Sequence, residues 1–248
     1  MKDFILETCI DSVESALAAE RGGANRVEMC ANLIIGGTTP GPQLFYEVRK
    51  QCGIKIHVLI RPRFGDFCYT DYEFGIIKEE VKMFRKLGAD GVVIGILRPD
   101  GTLNLEQMRI LMEEAKGMSV TLHRAFDVCR DPFKTMRQAK ELGVHTILTS
   151  GQGNTCLAGR DLLEELVKKA GDDIEIMVGS GVDAKVIRGL YPQVKAHAWH
   201  MSGKMTLDSQ MRYRKEDVNM GLPTFSEFEV WRTSEEKVRA AVEALKEL

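Results

Sequence analysis

Several features that mark other protein classes are missing from this sequence of 248 residues. No apolar run approaches the length of a membrane span, and acidic residues interrupt the opening stretch MKDFILETCIDS, so no secretory leader is expected. Lysine and arginine total 34 against 36 aspartates and glutamates, which leaves no basic excess for nucleic acid or an anionic membrane surface. The six cysteines form no CxxC pair, which favours free thiols in a reducing compartment. A cytoplasmic protein is therefore expected, with neither nucleic acid nor a membrane as its partner.

A glycine-rich turn is also missing after the first strand-like run, FILETC, which continues into TCIDS. Such a turn is needed to hold a pyrophosphate in a doubly wound nucleotide-binding sheet. The sequence therefore argues against that fold, and no nucleotide cofactor is expected.

The sequence does contain a repeated alternation of short apolar runs and longer amphipathic stretches. The eight runs begin near residues 4, 25, 55, 90, 119, 145, 174 and 196. Each interval is long enough for one strand and one helix, and no linker-like composition divides the chain. Eight unbroken βα units predict an α/β fold, a single (β/α)8 TIM barrel that occupies residues 1–248 as one domain.

Capping signals support the helical stretches. Asp11 or Ser12 precedes the first of them and Gly22–Gly23 end it, while Thr70 followed by Glu73 resembles a capping box. The last helix is expected in TSEEKVRAAVEALKEL, which leaves a long connection, about residues 204–228, between the eighth strand and the eighth helix. Long connections at this end of a barrel often carry function.

Alternation along each strand predicts which side chains enter the barrel. Phe4 and Leu6 are expected to face helices, so Glu7 and Cys9 of the first strand point inward. By the same reasoning the inward set at the carboxyl ends of the other strands is Glu28, Cys30, His57, Leu59, Arg61, Arg63, Thr121, His123 and His200. Catalytic groups of TIM barrels lie at this end, so the pattern predicts a site there.

The motifs in these positions resemble those of the CutC family of copper homeostasis proteins. The resemblance is carried, between about residue 5 and residue 214, by LETC, NRVEMCA, GGTTP, IRPRFGDFCYTD, TLHRAFDV, LTSGQ, HMS and MRYR. It implies a TIM barrel, a cytoplasmic location, self-association into a homo-oligomer and a role in copper tolerance.

The resemblance also implies that Cys9 and Cys30 bind Cu(I). Cu(I) is a soft ion that prefers thiolate ligands, and two cysteines on neighbouring strands suffice for linear coordination. The alternative is that both are small buried core residues, since free cysteine is among the most buried residue types.

The same residues also fit a barrel enzyme of the lyase, isomerase or hydrolase type that acts on a small anionic or phosphorylated metabolite. Glu7, Glu28 and His123 are its candidate acid–base groups. The candidate anion-binding residues are Arg61, Arg63, Arg124, Ser150, Gly151, Gly179, Gly181 and His200. Structural ion pairs, Glu7 with Arg26 or Glu28 with Arg61, would explain some of these charges without any ligand. The sequence leaves open whether the protein is an enzyme.

Overall fold

A computed structural model describes residues 4–215, 217–222 and 225–248 of the chain. Residues 1–3 of the expected domain, and residues 216, 223 and 224 of the expected connection, lie outside the described residues. Eight parallel strands form a closed barrel in which each strand pairs with the next and the eighth pairs with the first. Helices alternate with the strands, so the prediction of a TIM barrel is confirmed.

The barrel strands are short and are almost entirely buried. They are β1 Ile5–Ile10, β2 Arg26–Met29, β3 Lys55–Leu59, β4 Gly91–Ile94, β5 Ser119–Leu122, β6 Thr146–Thr149, β7 Glu175–Val178 and β8 Ala198–Met201. Buried residues such as Val27, Met29, Ile56 and Val58 face outward from β2 and β3 and pack in the main core beneath the helices.

In the described part of the chain, eight α-helices surround the strands. They are α1 Val13–Gly22, α2 Pro42–Gln51, α3 Asp71–Leu87, α4 Leu105–Glu114, α5 Pro132–Leu142, α6 Arg160–Ala170, α7 Ala184–Val194 and α8 Glu235–Lys246. Two short 3₁₀ helices occupy Leu33–Ile35 and Arg124–Val128. Among the described helices, none has the length and apolar character that a membrane span requires.

The expected caps are present. Ser12 accepts the backbone N–H of Ser15 at the start of α1, and Gly23 ends that helix in the left-handed region. Thr70 and Glu73 form a reciprocal capping box at the start of α3. These local bonds satisfy donors that a helix start otherwise leaves open.

The segment between β8 and α8 is partly ordered into a hairpin. Strands β9 Lys204–Asp208 and β10 Glu229–Thr233 pair antiparallel, and the ammonium of Lys204 lies 3.5 Å from the ring centroid of Trp231. Thr233 donates its backbone N–H to Ser15 Oγ, so the end of the hairpin is fastened to α1 beside the barrel mouth.

The inward side chains form layers inside the barrel. An apolar layer of Leu148, Met177 and Ala198 packs against Ile5, and a second apolar group contains Cys30, Leu59 and Val93. Charged side chains lie between these two groups, as described below.

Glycines on β4 and immediately after it make room for two histidines. A Cβ atom on Gly91 would lie 2.6 Å from the His57 ring, and one on Gly95 would lie 2.7 Å from the His123 ring. Both distances are shorter than any real contact, so each imidazole occupies space that only glycine leaves free.

Candidate functional site

One carboxylate organises the centre of the barrel. Glu7 is fully buried, and its Oε2 accepts a hydrogen bond of 2.5 Å from Nε of Arg26 on the neighbouring strand. Its Oε1 accepts a hydrogen bond of 2.8 Å from Nδ1 of His200 on the other side. Burial alone would raise the pKa of Glu7, but the charges of Arg26 and His200 and the bond from His200 hold that pKa well below its ordinary value.

After Arg26, His200 is the second side chain that bonds Glu7. Burial disfavours its charged form, but hydrogen bonds to Cys9 and Glu7 and the nearby charge of Glu28 raise the pKa of His200 well above its ordinary value. The contacts therefore favour the charged imidazolium, and Nε2 of His200 lies 3.8 Å from Oε2 of Glu28.

Glu28 differs from Glu7 although the two glutamates lie on neighbouring strands. It is 5% exposed and has no arginine in hydrogen-bond contact among the described residues. Burial raises the pKa of Glu28 to about 7, with the charge of Glu7 adding to the effect and His200 opposing it. Two neighbouring carboxyl groups with separated pKa values are an arrangement that suits acid–base chemistry.

A cavity of 530 Å³ opens at the carboxyl ends of the strands. Its polar and charged lining groups are Cys9, Glu28, Arg61, His123, Arg124, Asp127, Ser180, His200 and Ser202. Apolar groups, among them Leu33, Leu59, Phe67 and Leu148, form much of the remaining wall. This combination of a mostly apolar wall with converging polar groups is typical of small-molecule sites.

Arg61 is buried, and its guanidinium donates to backbone carbonyl oxygens. Its Nη1 donates to the carbonyl oxygen of Gly37 at 3.1 Å and its Nη2 to that of Gly65 at 2.7 Å. No carboxylate of the described part of the chain forms an ion pair with it, so the alternative of a Glu28–Arg61 pair is wrong. The guanidinium therefore adds a positive charge to the cavity that Glu28 does not neutralise by contact.

His123 is a neutral imidazole at the end of β5. Its Nδ1 accepts the backbone N–H of Ala125 at 3.1 Å, which caps the following 3₁₀ helix. Burial, assisted by the charge of Arg61, lowers the pKa of His123 to about 3. At neutral pH His123 is therefore uncharged and can donate a hydrogen bond.

His57 lies deeper in the barrel, at the level of Glu28 in the strand register. Burial and the charge of Arg26 lower its pKa to about 4, and its Nδ1 is among the buried atoms without a partner in the described structure. It does not line the cavity of the barrel mouth as described.

Arg63 is directed into its own loop. Its guanidinium forms ion pairs with Glu73 at 2.5 Å and with Asp66 at 2.9 Å. The guanidinium carbon lies 5.2 Å from the centroid of the Tyr69 ring. The carboxylate of Asp66 thereby holds Arg63 within the loop. In the described structure Arg63 does not line the cavity that contains Arg61.

The loop after β6 is built around Asp127. The carboxylate of Asp127 accepts hydrogen bonds from the Thr149 hydroxyl and from the backbone N–H groups of Ser150 and Gln152. Arg124 pairs with Asp127 at 2.6 Å and donates to Ser150 Oγ at 3.1 Å. The Asp127 carboxylate and the Thr149 hydroxyl thus occupy the N–H groups of Ser150, Gly151 and Gln152 that a bound anion would need in TSGQG.

The glycines of the loops after β6 and β7 have different surroundings. A Cβ on Gly151 would lie 2.2 Å from the carbonyl oxygen of Gly159, and one on Gly179 would lie 2.6 Å from Leu148. Gly181 adopts a φ of 80° and lines the cavity together with Ser180. Of these three glycines, only Gly181 faces a space large enough for a ligand.

Cys9 and Cys30 lie on neighbouring strands and pack in one apolar group. Cys30 is fully buried, and its thiol lies 3.6 Å from Oε2 of Glu28, to which it donates. Burial, with the nearby carboxylate charge of Glu28, raises the pKa of Cys30 well above its ordinary value. No group of three or more His, Cys, Asp or Glu side chains suited to hold a metal ion occurs among the residues described.

A larger cavity, of 680 Å³, lies at the opposite end of the barrel. It is lined by groups near the amino ends of the strands, including His145, Glu175 and His197, and Glu175 and His197 pair at 2.9 Å where both are partly exposed. Active sites of TIM barrels lie at the carboxyl ends of the strands. The cavity of 530 Å³ at that end is therefore the better candidate for a functional site, although it is the smaller of the two.

Comparison with known proteins identifies relatives along almost the whole chain. The model of the CutC family matches residues 4–205. A CutC family protein of Bacteroides fragilis is 42% identical over 247 residues, which cover 99% of this chain and 98% of the relative. The copper homeostasis protein cutC homolog of Homo sapiens is 38% identical over 237 residues, covering 95% of this chain and 87% of the relative.

Solved structures agree with these relatives. A CutC protein of Streptococcus agalactiae superimposes with a TM-score of 0.76 and 31% identity, covering 80% of this chain and 98% of its own. Thiamine phosphate pyrophosphorylase of Pyrococcus furiosus has a TM-score of 0.60 at 14% identity, and this similarity concerns the fold alone.

Proposed function

The chain belongs to the CutC family, and from that premise we propose that its barrel mouth binds a small anionic metabolite, at which Glu28 donates or accepts a proton. The reaction would be of the lyase, isomerase or hydrolase type. Copper homeostasis, named for relatives such as the human protein, would then be the physiological setting of this activity.

Glu28 carries this proposal. It is a buried carboxyl that faces a cavity, and its pKa of about 7 lets it exchange a proton readily near neutrality. Glu7, by contrast, has Arg26 at hydrogen-bond distance, whereas Glu28 has, among the described residues, only the more distant His200, at 3.8 Å.

The other charges have roles that follow from their contacts. Arg26 and Glu7 hold His200 in place, and the charge of His200, 3.8 Å from Glu28, would stabilise the Glu28 carboxylate once its proton has left. Arg61 would attract the anionic group of the metabolite, since it has no carboxylate partner among the described residues.

A metabolite screen tests this proposal. Small carboxylic and phosphorylated metabolites would be tested against wild type and Glu28→Gln by thermal shift, and each stabilising compound would then be tested for turnover. We expect at least one compound to stabilise both proteins and to be converted only by wild type, because glutamine preserves the cavity but cannot transfer the proton. Glu175→Gln at the opposite end of the barrel is the matched control and should retain turnover. Equal turnover by Glu28→Gln would refute the role of Glu28.

The second candidate is Cu(I) binding by Cys9 and Cys30. It is favoured by their packing in one group on neighbouring strands and by the softness of their sulfur atoms. Because the Cys30 thiol has a raised pKa, binding would have to release its proton, and affinity should increase with pH.

Anaerobic titration of Cu(I) against a competing chelator tests the second candidate. We expect one equivalent to bind to wild type and to be lost in Cys9→Ser and in Cys30→Ser. Cys52→Ser is the control, because Cys52 follows α2 on the outer side of the barrel strands. Unchanged Cu(I) binding in the Cys9 and Cys30 variants would exclude these residues as ligands.

Location and assembly complete the proposal. The six cysteines are free thiols, as suits a reducing compartment, and we place the protein in the cytoplasm. Self-association into a homo-oligomer is the assembly implied by the family. Cell fractionation and sedimentation velocity test these two points; detection outside the cytoplasm, or a purely monomeric protein, would contradict them.

A further inference from the structure

Two buried N–H groups of the candidate site have no hydrogen-bond acceptor. Nε of Arg61 and Nε2 of His123 are shielded from solvent, and neither has a partner in the part of the chain that the structure describes. Both side chains line the cavity that contains Glu28, and they are 8% and 4% exposed. An unsatisfied buried donor is costly, and such groups in native proteins call for an explanation.

The contacts of His123 decide that Nε2 carries its proton. Nδ1 accepts the backbone N–H of Ala125, and an accepting ring nitrogen cannot be protonated. The imidazole is neutral, so its single proton resides on Nε2. His123 therefore presents one N–H donor, with its direction fixed by the cap that Nδ1 forms.

Among the described residues, the contacts of Arg61 leave its Nε without a hydrogen-bond acceptor, beside the Tyr69 hydroxyl, which also has no partner there. Nη1 and Nη2 donate to backbone carbonyl oxygens of Gly36, Gly37 and Gly65, and these bonds fix the plane of the group. Carbonyl oxygens satisfy donors but carry no full negative charge. The guanidinium thus keeps its positive charge and its unpaired Nε–H.

Phe67 covers both groups. Its ring centroid lies 5.0 Å from the guanidinium carbon of Arg61 and 4.8 Å from the centroid of the His123 ring. The backbone around it is anchored, because Leu97 donates its N–H to the Phe67 carbonyl oxygen at 2.9 Å. Phe67 itself is only partly buried.

We propose that Nε of Arg61 and Nε2 of His123 form a two-donor subsite for a carboxylate group of the ligand, and that the Phe67 ring turns aside to admit it. A carboxylate has one charge and two oxygens, which matches one cation and two N–H donors. A phosphate group, with three oxygens and a charge between about −1.5 and −2, would leave most of its acceptors unsatisfied here. This inference rests on the proposed function and deepens it, because it names the anionic group of the metabolite.

Histidine side-chain NMR tests the subsite directly. Long-range ¹H–¹⁵N spectra of the full chain identify the tautomer of each imidazole, and acetate, glycolate and inorganic phosphate serve as probes. We expect His123 to be the Nε2–H tautomer and its Nε2 resonance to shift saturably with acetate and glycolate. Phosphate should bind at least about tenfold more weakly, because fewer of its oxygens find donors.

Two variants complement the spectra. In His123→Asn the amide oxygen can replace Nδ1 as the acceptor for the backbone N–H of Ala125, but the Nε2–H donor is lost. The affinity for carboxylates should therefore fall about 10- to 100-fold. In Phe67→Ala the donors are uncovered, so carboxylate affinity should rise. His197→Asn, at the opposite end of the barrel, is the control and should bind as wild type does.

The outcomes separate this inference from the proposed function. Phosphate binding as tight as carboxylate binding, an Nδ1–H tautomer, or a His123 resonance that ignores carboxylates would each overturn the subsite. A fall in affinity in Phe67→Ala would overturn the covering role of that ring. Saturable carboxylate binding that persists in Glu28→Gln supports the subsite, even where the metabolite screen finds no turnover and the acid–base role of Glu28 fails.

Discussion

Nε of Arg26 lies 2.5 Å from Oε2 of Glu7 inside the barrel, and the other oxygen of the same carboxylate lies 2.8 Å from Nδ1 of His200. The strand register sets this arrangement, since Glu7 is the direct neighbour of Arg26 on one side and of His200 on the other. One buried carboxylate therefore joins two cations from flanking strands. Glu28, in the same interior, is left to titrate near neutrality.

Loss of the arginine should destabilise the fold. We expect Arg26→Met to lower the free energy of unfolding by about 3–5 kcal/mol, because it leaves the buried Glu7 with only one cation. Arg21→Ala is the control, because Arg21 pairs with Glu235 at the surface and its loss should cost less than about 1 kcal/mol. Urea melts measure both. Equal effects of the two substitutions would show that the buried pair contributes no more than a surface pair.

Acid should weaken the contribution of Glu7. Its pKa in the folded protein is below the ordinary 4.5, so the folded state binds this proton less readily than the unfolded state. The stabilisation is complete above pH 4.5 and is lost as the pH falls below that value. We therefore expect the difference in the free energy of unfolding between wild type and Glu7→Gln to shrink as the pH falls from about 5 to about 3. This window begins just above the ordinary pKa of a glutamate, 4.5. A difference independent of pH would contradict the depressed pKa.

Much of the barrel was predictable because strand and helix signals repeat locally. The eight runs and the inward positions of Glu7, Glu28, Arg61, His123 and His200 follow from alternation, which depends only on the pleat of a strand. Helices α2 and α7 were harder to predict for different reasons. Helix α2 begins at Gly41–Pro42 without a side-chain cap, and α7, although capped by Asp183, carries Pro192 in its last turn. The hairpin of β9 and β10 pairs residues more than twenty positions apart, which sequence spacing does not reveal.

The site was less predictable, because burial and partner choice are properties of the folded chain. From the sequence, Glu7, Glu28 and His123 were equivalent acid–base candidates. In the structure Glu7 contacts Arg26 and His200, and His123 is an uncharged hydrogen-bond donor. Asp127 was not among the candidate residues, yet its carboxylate organises the loop after β6. Phe67 had no chemical signal in the sequence, and only its position over Arg61 and His123 singles it out.

The space beside His123 should depend on Gly95. A methyl group there would meet the imidazole at 2.7 Å, so we expect Gly95→Ala to destabilise the protein by about 1–3 kcal/mol and to move the His123 resonances. Gly75→Ala is the matched control, because Gly75 lies within α3 with nothing near its Cβ position. That change should stabilise the protein by about 0.5–1 kcal/mol. Thermal melts compare the two, and a neutral Gly95→Ala would mean that the histidine has room to move.

The ionisation of Glu28 tests the central claim most directly. Its pKa is raised from 4.5 to about 7, so the folded protein holds this proton where the unfolded chain has lost it, and the associated stabilisation disappears as the pH rises through 7. The measurement is a ¹³C NMR titration of glutamate side-chain carboxyl carbons in wild type and in Glu28→Gln. We predict one resonance that titrates near pH 7 in wild type and is missing from the variant. A Glu28 carboxyl that titrates at its ordinary value near 4.5 would contradict the acid–base role proposed for the barrel mouth.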